Sequence, residues 1–103
     1  MKLNVLERLL LGGVIPAEGN LVTLKLIRQL REDLSFTAEE HKHFGFVEEG
    51  EKIKWNPEYA SEEKEIEIND VMLGVIKNQL KQMDKAEKLT ENHLSLWEKF
   101  MEK

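Results

Sequence analysis

Residues 35–46 read SFTAEEHKHFGF, with two glutamates and two histidines packed between phenylalanines. Such donors are the raw material of a carboxylate–imidazole metal site. On a helix, Glu40 and His43 are three apart and share a face. Carboxylate-bridged di-iron bundles need two such Glu-x-x-His units and two further glutamates, and this chain has one unit. His41 and His43 are two apart, a spacing that aligns ligands on a strand but splits them on a helix. Thr37 followed by Glu40 is a capping box that opens a short helix, and Gly45 is placed to close it. The expectation is a capped helix running into a strand, with no metal and no cofactor. A metal-dependent enzyme built on Glu40, His41 and His43 is the weakest alternative.

Other catalytic signatures are missing. The sequence has no G-x-S-x-G, no phosphate-cradling glycine loop, no H-E-x-x-H and no dinucleotide fingerprint. Ser35, Ser61 and Ser95 stand outside any motif. The carboxylates of EEGEK and SEEKE read as exposed, without the burial that tunes an acid for catalysis. No catalytic residue is assigned, and the chain is expected not to be an enzyme.

Charge is distributed unevenly. The 103 residues carry a net charge of −5. Residues 1–36 hold five bases and four acids, 37–70 four bases and eleven acids, and 71–103 six bases and five acids. The acidic excess therefore lies in the middle third. Helix, helix, short helix and hairpin in that order suggest a winged-helix DNA-binding regulator. Its reading helix would be AEEHKH and its wing EEGEK, both acidic, whereas duplex affinity rests on cations at phosphates. Nucleic acid is therefore not the expected partner. Lys77, Lys81, Lys85 and Lys88 step by four, four and three, forming a basic stripe if the helix reaches that far. A stripe of this kind is usually a solvent face. Its functional reading is docking of an acidic partner, such as the acidic middle of another copy.

The elements that must position these residues follow from periodicity. Asn4 with Glu7 caps a helix from Val5 to about Leu11, which Gly12-Gly13 should end. Leu24, Ile27, Leu30 and Leu34, flanked by Leu21, Val22 and Leu26, mark a central second helix. Residues 44–47 and 53–55 alternate around a Glu49-Gly50-Glu51 turn, a hairpin. Lys64 to Ile68 is a strand with Glu65 and Glu67 on one side and Ile66 and Ile68 on the other. Asn69 caps a helix to about Met83, whose apolar face is Val71, Met72, Val75, Ile76, Leu80 and Met83. Thr90 caps the last helix, with Leu89 and Leu94 as a hydrophobic staple. Trp97, Phe100 and Met101 lie on that helix and pack either on their own domain or on a neighbour.

Composition fits one domain over 1–103: 41 % hydrophobic and 34 % charged, with no cysteine. Cysteine's absence removes disulfides and thiolate chemistry and fits a reducing compartment. Glu7 and Arg8 interrupt the N-terminal apolar run, so it reads neither as a secretory core nor as a span. A cytoplasmic protein without a membrane association is expected.

LNVLERLLL, EGNLVTLKLIRQLREDLSFTAEE, EKEIEIND and LTENHLSLWEKF together resemble small uncharacterised proteins of phage and prophage genomes. The resemblance spans nearly the whole chain and implies a viral origin. It implies no activity.

The expected fold is α+β: four main helices plus one short helix packed on a small three-stranded antiparallel sheet. The expected function is a non-enzymatic interaction or assembly protein that forms homo-oligomers. Its surface would include Lys77, Lys81, Lys85, Lys88, Trp97, Phe100 and Met101.

Overall fold

The computed structural model describes residues 1–102. In chain order its elements are β1 (Lys2–Leu3), α1 (Val5–Val14), α2 (Leu21–Leu34), α3 (Ala38–Phe44), β2 (Val47–Glu49), β3 (Lys52–Lys54), β4 (Lys64–Glu65), α4 (Asp70–Lys85) and α5 (Leu94–Met101). Single 3₁₀ turns at Pro57–Tyr59 and Glu91–His93 complete the path. The class is α+β, with four main helices and one short one. The strands do not form a single sheet. They form two antiparallel pairs, β1 with β4 and β2 with β3.

That difference has a local cause. The strand expected over 64–68 pairs only where a partner exists, and its partner is the N-terminal dipeptide. Lys2 lies opposite Glu65 and Leu3 opposite Lys64. The Ile66 amide adds one more rung by donating to the Met1 carbonyl at 2.8 Å. The alternation of faces nevertheless holds past the pairing: Ile66 is buried and Ile68 half-buried, while Glu65 and Glu67 are exposed.

Side-chain caps set most helix starts. Asn4 accepts from the Glu7 amide and Glu7 returns a bond to the Asn4 amide. Thr37 and Glu40 do the same for α3. Asn20 and Asn69 accept from Thr23 and Met72. Each cap contributes about 1 kcal/mol. Gly45 ends α3 in the left-handed region at φ 64°, as the expectation required. Gly12-Gly13 do not end α1, which runs on to Val14. The stop is Pro16: Ile15 before it is extended, at ψ 130°, because the proline ring disfavours helical geometry in its predecessor. At the far end of α4, Glu87 takes a left-handed φ of 56°. The Lys88 amide reaches the Met83 carbonyl and the Glu87 amide the Asp84 carbonyl, which is the Schellman pattern.

The core draws on every main helix. It includes Leu3, Leu11, Ile27, Leu30, Leu34, Ile66, Met72, Ile76, Leu80, Leu96 and Phe100. Two parts of the expected apolar faces lie outside it. The first turn of α2 is open, with Leu21 and Val22 each more than two-thirds exposed, and Val71 of α4 is over half exposed. The buried face of α2 begins at Ile27, and Val71 lies off the Met72, Ile76 and Leu80 face of α4, so these first-turn residues meet water. The rings of the middle third form a satellite. Phe36, Phe46 and Trp55 are half-buried and only Phe44 is buried, with Phe36 and Phe46 centroids 4.8 Å apart. The satellite sits beside the hairpin, whose strands are exposed along both lengths.

Candidate functional site

The lysine stripe is real over three of its four positions. Lys77, Lys81 and Lys85 advance along the solvent side of α4, opposite Met72, Ile76 and Leu80. Lys88 lies in the Schellman turn past the end of α4 and leaves the helix line. None of the four enters a salt bridge among the described residues. Lys77 is half-buried and the others are exposed.

Of the three C-terminal residues expected at a surface, Phe100 belongs to the chain's own core, at 1 % exposure. Its ring is unavailable to a neighbour. Trp97 and Met101 are half-buried and pack against that core. Helix α5 is thus an internal element, seated on α1 and α4. Leu94 of the expected staple is 59 % exposed, because a 3₁₀ turn precedes α5. His93 holds that turn: its Nδ1 accepts from the Thr90 amide at 3.0 Å and lies 2.9 Å from the Thr90 hydroxyl.

Lys77 forms one edge of a cleft of about 450 Å³ between β1, α4 and α5. Lys2, Glu63, Lys99, Leu73 and Phe100 also line it. Lys99 is the best-connected cation there. Its Nζ donates to Glu7 Oε1 at 2.7 Å, to Glu63 Oε2 at 2.7 Å and to the Lys2 carbonyl at 2.8 Å. Burial disfavours the Lys99 charge, but the bonds to Glu63 and Glu7 outweigh it and raise the ammonium above its ordinary 10.5. Glu7 is 1 % exposed. Its Oε1 takes both the Asn4 amide and Lys99, while its Oε2 is buried with no hydrogen-bond partner.

The adjacent residue builds a second cluster. Arg8 is 3 % exposed. Its guanidinium donates to Glu40 Oε2 at 2.6 Å, to Glu40 Oε1 at 3.3 Å, and to the carbonyls of Leu34 and Ser35. It also stacks 3.8 Å from the Phe36 ring centroid. The Arg8 hydrogen bonds are the main reason the Glu40 carboxyl is lowered from 4.5 to about 2, against the opposing pull of burial. Glu40 is therefore a structural anchor as well as a cap.

The histidines of the opening motif part company. His43 Nε2 lies 2.7 Å from Glu62 Oε2, and the His43 ring packs 4.3 Å from Tyr59. His41 faces the Phe36 and Phe46 rings. Glu40, His41 and His43 thus each serve a different neighbour. Among the described residues no group of three or more His, Asp or Glu side chains is placed to hold one ion. No helix of the described residues is long and apolar enough to cross a membrane.

Sequence reasoning missed Glu7, Lys99, Lys2 and Glu63 as parts of one site. A signal for Glu7 and Arg8 was present. Both interrupt a helix that is apolar nearly all round, and a charge on such a helix has to be buried with a partner. Compared with known protein families, curated proteins and solved structures, the chain matches none.

Proposed function

We propose that the chain is a non-enzymatic assembly protein that associates with copies of itself through complementary charge. The observation that carries this reading is the unpartnered lysine line of α4. Lys77 has given up part of its hydration at the cleft edge without meeting an acid, and Lys81 and Lys85 continue the line into solvent. An acidic surface is its natural counterpart, and the chain carries one in the −7 charge of residues 37–70. The two well-defined charge clusters, around Arg8 and Lys99, tie elements of the fold together through their hydrogen bonds. The cytoplasmic setting and the phage origin implied by the sequence resemblance belong to the same proposal.

Light scattering on a size-exclusion column tests it. A defined oligomer at low salt that dissociates as salt rises supports the reading. A monomer at every concentration and salt removes it.

One observation favours a second reading. Helices α2 and α3 are followed directly by the β2–β3 hairpin, the order of a winged helix. Helix α3 opens with Glu39 and Glu40 and the hairpin turn carries Glu49 and Glu51, so duplex binding would have to work against its own charge. The absence of a mobility shift at low salt would end it.

A further inference from the structure

Beside the β2–β3 hairpin the aromatic residues of the middle third leave a pocket open. Leu9, Phe36, His41, Phe46, Glu48 and Ile53 line a volume of about 320 Å³, a size that suits a small organic molecule. None of the six is buried: Leu9, Phe36 and Phe46 are half-buried, and Ile53 is 46 % exposed. Apolar area left open in a concave site is area that a ligand can remove from water.

The rings set what that ligand can be. Phe36, His41 and Phe46 stand 4.8 to 6.3 Å apart, inclined to one another by 64° to 74°. The face of an aromatic ring attracts a cation. Phe36 already uses a face in this way, with the Arg8 guanidinium 3.8 Å from its centroid. That guanidinium is matched by its fork onto Glu40, so the pair adds no net charge beside the pocket.

The hairpin supplies the sign. Glu48 lies directly opposite Ile53, and opposed residues of an antiparallel pair share a face. Val47, Glu49, Lys52 and Lys54 take the reverse face by strand alternation, where Lys54 and Glu49 pair at 2.7 Å. Both hairpin lysines are therefore turned from the pocket. Glu48 enters no ion pair among the described residues, and no lysine or arginine among them lines the pocket. The −7 charge of residues 37–70 adds a field of the same sign.

We propose that this pocket binds an organic cation, an ammonium or guanidinium head carried on an apolar body. The head meets the Glu48 carboxylate and the ring faces, and the body rests on Leu9, Phe36 and Ile53. A free amine and a lysine or methyl-lysine side chain of another protein share that chemistry. The site has no residue in common with the lysine line of α4 and does not rest on self-association.

Titration calorimetry on the full chain tests it with three probes built on one ring: benzyltrimethylammonium, benzyl alcohol and benzoate. The cation should bind with a Kd of ~1 mM or tighter, tenfold or more below that of benzyl alcohol, and benzoate should not bind. Glu48→Gln should weaken the cation about tenfold and leave benzyl alcohol unchanged. Glu48 is exposed, so that variant should fold as the wild type does, which its denaturant melt checks. Amide chemical shifts should move at His41, Glu48 and Ile53 as the cation is added. A short glycine-rich peptide with one trimethyl-lysine separates the two sources. Tighter binding than the free probe assigns the pocket to a protein side chain, and weaker binding assigns it to a free amine. Equal affinity for the cation and benzyl alcohol overturns the proposal. An affinity that Glu48→Gln leaves unchanged does the same, as do shift changes confined to other parts of the chain. No binding of the cation at ~10 mM removes the site altogether.

Discussion

Glu7 and Arg8 are neighbours on α1, both almost fully buried, and the surroundings they reach are built differently. Arg8 is well served: one carboxylate and two backbone carbonyls take four of its five N–H groups, and one aromatic face covers the guanidinium. Those partners come from the end of α2 and from α3, so one side chain ties the α2–α3 connection and the α3 start to α1. Glu7 is served less completely. One oxygen carries two bonds, the other none, and its cation is shared with Glu63 and a carbonyl. The first cluster joins three parts of the fold through one guanidinium. The second opens on a cleft with further charge along its rim, and an incomplete cluster beside unpartnered lysines is where association has something to gain.

Neutralising the acid in each cluster should bring this contrast out. Glu40→Gln keeps a residue suited to the capping box but strands a buried guanidinium without its counter-charge. It should cost about 3 kcal/mol of unfolding free energy, read from denaturant melts. Glu7→Gln leaves Lys99 with Glu63 and the Lys2 carbonyl, so about 1 kcal/mol is expected. Equal losses would erase the distinction between the clusters.

Acid titration sharpens it further. Glu40 is lowered from 4.5 to about 2 in the folded chain. Between those values the unfolded chain binds more protons, so stability falls as pH drops through the window and is fully present above it. Solvent screening at this partly exposed carboxyl trims the contribution lost across the window to about 1–2 kcal/mol. Glu40→Gln should flatten that slope. At the other extreme, Lys99 is raised above 10.5, so its contribution is complete below that value and fades as pH climbs beyond it.

The smallest expected effect lies outside both clusters. Glu87 holds the left-handed position at the end of α4, where glycine fits without strain. Glu87→Gly should stabilise the fold by about 0.5 kcal/mol. It should leave the acid slope unchanged, so it serves as a control for variants that touch a cluster.

The sequence exposed the local signals more clearly than the global ones. Capping boxes at Asn4 and Thr37, the αL stop at Gly45 and the turn at Gly50 depend on neighbours in the chain, and they stand where the spacing put them. Gly12-Gly13 misled because a glycine pair weakens a helix without forbidding it, whereas Pro16 does constrain Ile15. The single sheet failed because β4 pairs with a dipeptide more than sixty positions away, a partner too short to carry a pattern. Position left Phe100 open between its own domain and a neighbour, and topology makes it core. The lysine line was legible from its spacing, but Lys2, Glu63 and Lys99 meet only through the fold. Glu7 was readable as a cap and, from the apolar run it interrupts, as a charge in need of a partner, but a capping box says nothing about which cation packs over it.

The central claim is that complementary charge brings copies of this chain together. Light scattering on a size-exclusion column, at low and at high salt, tests it most directly. A mass above one chain at low salt and of one chain at high salt is expected, since exposed charges are screened by salt. A single-chain mass at low salt and high concentration would contradict it.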